Sequence, residues 1–158
     1  MFAFHVTRRA ALAAILIGAT SATMLTNPAA ARHAIADGVR VDVGPLLENS
    51  GEPTAGWVAR ELPRAIEAAL AGSRQAGTPV SVRIDYVILG PSSSGAGPSG
   101  SSPDQMIGEV TRGGVTRPLR AETFYYPAAS DPAMFEQANF DRVSHLCQAF
   151  AGWIAKGY

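Results

Sequence analysis

Between residues 80 and 89 the chain reads Val-Ser-Val-Arg-Ile-Asp-Tyr-Val-Ile-Leu, a period of two that only a half-buried β-strand satisfies. The even positions Val80, Val82, Ile84, Tyr86 and Ile88 are apolar throughout. The odd positions begin Ser81, Arg83, Asp85 and end Val87, Leu89. The alternation therefore predicts the whole even set in the core, with an odd face that turns apolar toward its end. A shorter run, Val39-Arg40-Val41-Asp42-Val43, alternates in the same way, and Gly44-Pro45 is expected to end it. Asn49-Ser50-Gly51 with Pro53 then reads as a loop.

Between these strands Val58, Leu62, Ile66, Ala69 and Leu70 form one stripe at helical spacing, with Thr54 as N-cap and Gly72 as stop. Pro63 leaves two forms open, a kinked helix from Thr54 or a regular one from about Glu61. Strand, helix, strand in this order fits a crossover unit with parallel neighbours. Its strands share an echo, Val39-Arg40-Val41-Asp42 and Val82-Arg83-Ile84-Asp85, which predicts a lattice of opposite charges on the face away from the helix.

Residues Gly90 to Pro103 are only Gly, Pro, Ser and Ala, a composition expected to form a mobile loop. Two further strands, Gln105 to Arg112 and Val115 to Tyr126, flank Gly113-Gly114, a two-residue hairpin signal. Pro118 cannot donate to a ladder, so the last strand is expected to lie at an edge or to start after Pro118. That strand closes on Phe124-Tyr125-Tyr126. A final helix, capped by Ser130 or Asp131 with Pro132 in its first turn, carries Val143, Leu146, Cys147, Phe150, Trp153 and Ile154 as a core stripe. The sum is an α+β chain: a two-layer sandwich with a mixed sheet of about four strands and two helices on one face, in the order β-α-β-β-β-α.

The first residues supply an address. Arg8-Arg9, an apolar run from Ala10 to Ala22, and Ala29-Ala30-Ala31 are the three parts of a secretory signal peptide. The apolar run is shorter than the ~20 residues a membrane span needs. Thr7-Arg8-Arg9-Ala10-Ala11-Leu12 fits a twin-arginine pattern in part, so the general and twin-arginine routes both stay open. Two cuts fit, after Ala31 or after Ala36. The division is thus a signal peptide over 1–31 (alternative end 36) and a single α+β domain over 37–158, about 120 residues, enough to bury roughly two-thirds of its unfolded surface. The expected location is periplasmic or secreted.

The whole chain has 13 basic and 13 acidic residues. Loss of Arg8 and Arg9 leaves −2, and loss of Arg32 as well leaves −3. Neither value suits a nucleic-acid partner. Cys147 is the only cysteine, so no internal disulfide is expected, and no lipobox Cys follows the apolar run to anchor the chain. Twelve of the 13 basic residues are Arg, a bias across the whole chain that weakens any claim for one of them.

Catalytic patterns are missing from the sequence. Ser99 in Gly97-Pro98-Ser99-Gly100-Ser101 fails the nucleophile-elbow pattern. His145 and Cys147 lie two apart, about 200° around a helix, and cannot share an ion. No catalytic, cofactor or metal residue is assigned. The segment Gly44-Pro45-Leu46-Leu47-Glu48-Asn49-Ser50-Gly51, between a strand and an Ala-rich helix, resembles the opening of periplasmic envelope domains. These include the TolB N-terminal domain and accessory proteins of envelope assembly and curli secretion. There the strand leads into Pro-aromatic-x-Asn-x-Ser/Thr; here Leu46 replaces the aromatic and Asn49 is displaced by one. The resemblance implies an envelope protein partner and carries over no catalytic residue. Expected contact residues are Phe124 and Tyr126 at the edge. A second reading, a small-ligand pocket between helix and sheet, draws on Tyr86, Tyr125 and Trp153; an undetected hydrolase is the third.

Overall fold

The structure is a computed structural model that describes residues 33–36, 38–73, 76–91, 102–124 and 134–157. Strands β1 (His33–Ala36), β2 (Val39–Asp42), β3 (Val80–Ile88), β4 (Asp104–Arg112) and β5 (Val115–Thr123) form one sheet in chain order. Only β2 and β3 run parallel; the other neighbours are antiparallel. Helices α1 (Gly44–Ser50), α2 (Thr54–Ala71) and α3 (Phe135–Ala155) complete the fold. The α+β class and the mixed sheet are those the sequence pattern predicts, with a fifth strand and a third helix added.

The added helix replaces an expected loop. Pro45 falls in its first turn, where a missing N–H costs nothing, and Leu46 is fully buried. The Asp42 carboxylate accepts the Gly44 N–H at 2.8 Å, so the strand is turned into the helix by its own last residue. β2 stops opposite Arg83, and α1 packs against β3. Asn49 Nδ2 donates to the Asp85 carbonyl at 3.0 Å, meeting a backbone acceptor that lies beyond the end of β2.

α2 resolves the Pro63 alternative as a single helix from Thr54, with Pro63 buried inside it. Its cap is Pro53 rather than Thr54, and the Glu52 carboxylate accepts the Gly56 N–H at 3.1 Å. Gly72 ends it as expected. α2 lies over β1 and β2, α3 over β4 and β5, and the two helices pack on each other. Trp57 meets Phe140 edge-on with centroids 5.9 Å apart, while the Arg60 guanidinium sits 5.3 Å from the Phe140 centroid. The core between the layers includes Val41, Ile66, Ile84, Met106, Leu146, Phe150 and Ile154. Full burial of each such side chain contributes roughly 1.5–3 kcal/mol.

The ion pair that fastens the layers was not legible in the sequence. Asp104 is fully buried and Arg142 is 4% exposed. Arg142 Nε donates to Asp104 Oδ2 at 2.8 Å, and its Nη2 donates to Asp104 Oδ1 and the Gly90 carbonyl. The Gly90 N–H in turn donates to Asp104 Oδ1 at 2.8 Å. One carboxylate and one guanidinium thereby hold α3, the start of β4 and Gly90, two residues beyond β3, together. The Gly90–Pro103 segment lies largely outside the described residues, as do Ser130, Asp131 and Pro132.

A candidate interaction surface on the open sheet face

The alternation that predicts β3 changes phase partway along it. Val80, Val82 and Ile84 are buried; then Val87 is buried while Tyr86 and Ile88 are 47% and 48% exposed. The pairing supplies the cause. Ile84 lies opposite Gly108 and Tyr86 opposite Ile107, so β3 carries one extra residue, Asp85, against β4. Such a bulge moves every later side chain to the other face. Gly108 permits it: a Cβ there would lie 2.2 Å from the Arg83 carbonyl oxygen. The expectation that Tyr86 and Ile88 join the core is thus overturned, and Val87 takes their place.

The face left uncovered by α2 and α3 has ordered rows. Register sets Tyr86, Ile107 and Arg120 in one row, and Ile88, Gln105 and Glu122 in the next. Phe124, 61% exposed, follows β5 by one residue. Tyr86, Ile88 and half-buried Ile107 make an apolar centre. Arg83 lies 3.0 Å from Asp85 and 3.4 Å from Glu109, and Arg120 lies 2.7 Å from Glu122. Asp42 is in register with Arg83. The hydrogen bond to Asp85, then the charges of Asp85, Glu109 and Asp42, raise the Arg83 pKa further, against a smaller desolvation effect. Of the predicted lattice, Asp42 and Asp85 gather around Arg83 with Glu109 added, while Arg40 lies opposite Ser81. Exposed pairs of this kind add little to stability, so their effect is to order a polar rim.

The expected ligand pocket does not assemble. Tyr86 is on the open face, whereas Trp153 is on α3 in the other layer, 44% exposed, with Lys156 Nζ 4.7 Å from its ring centroid. Trp153 therefore leaves the core stripe assigned to it. Tyr125 and Tyr126 lie outside the described residues.

Two grooves lie away from the apolar centre. One of about 440 Å³ separates α2 from α3, lined by Glu61, Ala65, Ala68, Cys147 and Gln148. Cys147 is buried there; desolvation, then the Glu61 charge, push its thiol pKa far up, which keeps it protonated. The other, about 570 Å³, lies beside the start of β2 and β3 and the Gly113-Gly114 turn, with Arg40 its one charged residue. That turn has φ of 56° and 79°, the positive values a primed two-residue turn requires.

Among the described residues no group of three or more His, Cys, Asp or Glu side chains is placed to hold a metal, and no helix is long and apolar enough to cross a membrane. The surface residues that sequence reasoning missed are Ile88 and Ile107. The Gly108 that accompanies the phase change was their only signal. No family model, curated protein or solved structure matches the chain.

Proposed function

We propose that this chain is an exported, non-catalytic accessory domain that binds a protein partner of the cell envelope through its open sheet face. The carrying observation is the apolar centre of Tyr86 and Ile88, turned outward by the Asp85 bulge, beside Ile107 of β4, ringed by Arg83, Asp85, Glu109, Arg120 and Glu122. An apolar core with a polar rim is the anatomy of a protein–protein interface. The mixed rim favours a protein surface of alternating charge over nucleic acid, which requires a basic one. The resemblance of Gly44–Gly51 to envelope accessory domains, and the signal-peptide pattern, support the same reading.

The reading is tested with Tyr86→Arg/Ile88→Arg in the exported protein. The partner that crosslinks to the wild type is expected to be lost, with thermal stability within about 0.5 kcal/mol of wild type as for exposed sites. Retained crosslinking by a correctly folded double variant contradicts it.

A further inference from the structure

The geometry points to the bond after Ala31, not the one after Ala36, as the signal-peptide cleavage site, an inference that rests on the export reading above. Both bonds follow an Ala-x-Ala triplet, so sequence leaves them equal. The fold separates them. Residues His33–Ala36 are the strand β1, in register with β2 through His33↔Asp42, Ala34↔Val41, Ile35↔Arg40 and Ala36↔Val39. Two residues, Asp37-Gly38, stand between the paired ends, and Asp-Gly between extended runs is among the strongest short-range hairpin signals. The bond after Ala36 thus falls between the two paired strands, while the bond after Ala31 precedes β1 in the chain.

A cut after Ala36 would also change the sheet. β2 has four residues, with Val39 and Val41 buried. Without β1 it becomes an edge strand with a row of unpaired backbone groups, and α2 loses one of the two strands it packs on. A cut after Ala31 keeps the whole hairpin and leaves Arg32 as the first residue. A hairpin that continues the folded sheet belongs to the mature domain rather than to a leader.

The test is the intact mass and N-terminal sequence of the protein recovered from the periplasm of a Gram-negative host expressing the full chain. A single product beginning at Arg32 is expected, and Ala31→Arg is expected to accumulate uncut precursor. A product beginning at Asp37, or cutting of Ala31→Arg as fast as the wild type, overturns the site while leaving export intact. Full-length protein confined to the cytoplasm overturns the export reading and the site with it.

Discussion

At the scale of single residues, the buried Asp104–Arg142 pair makes the strongest claim. Arg142→Met strands a carboxylate with no cation beside it in the core, and urea denaturation is expected to show a loss of about 3–5 kcal/mol. Adding Asp104→Leu is expected to recover most of that loss, because the desolvated charge goes too. Additive losses in the double variant would contradict the pairing. Cys147 gives a pH dependence. Its folded-state pKa is raised, so its contribution is intact below the ordinary thiol value of 9.0 and is lost as pH rises above it. The stability advantage of wild type over Cys147→Ala is expected to shrink by about 1.4 kcal/mol per unit above that pH. A constant difference between the two proteins would show that the thiol ionises equally well folded and unfolded. The burial of Cys147 was legible in the apolar stripe of α3, but the ion pair was not. Asp104 adjoins a Gly/Pro/Ser run and Arg142 is one of twelve arginines, so only the fold brings them together.

At the scale of elements, β3 shows how far periodicity carries and where it stops. The first half of the strand, through Ile84, obeys the alternation in the sequence; the second half inverts it at Asp85. A period-two pattern has no mark for an inserted residue when the residues beyond it, Tyr86 to Leu89, are apolar on both faces. The phase is decided by comparing neighbours. Val87→Ser is expected to destabilise by about 1–3 kcal/mol, and Ile88→Ser to stay within about 0.5 kcal/mol of wild type. The reverse ranking would restore the unbulged strand. Gly108→Val is expected to cost at least as much as other overpacked sites, about 1–3 kcal/mol, since its side chain would meet the Arg83 carbonyl. α1 was hidden for a different reason. Gly44-Pro45 read as a strand end and Asn49-Ser50-Gly51 as a loop, and tertiary burial of Leu46 overrides those local signals.

At the scale of the molecule, two helices cover one face of a five-stranded sheet, and among the described residues neither of them covers the other face. The two-layer arrangement and the parallel β2–β3 pair were legible because each rests on strongly periodic segments, short in β2 and long in α2 and β3. The open face was legible only as charges. Its apolar centre depends on one bulge, and its expected aromatic margin reduces, among the described residues, to Phe124. The functional claim stands on that face, and site-specific photo-crosslinking in the envelope addresses it most directly. A photoreactive residue is placed at Ile107 on the open face, or at exposed Gln148 beside the helix groove as control. A discrete adduct from position 107 that disappears with Tyr86→Arg/Ile88→Arg, and none from 148, is expected. Adducts from 148 alone, or a 107 adduct indifferent to the double substitution, would contradict a partner docked on the sheet.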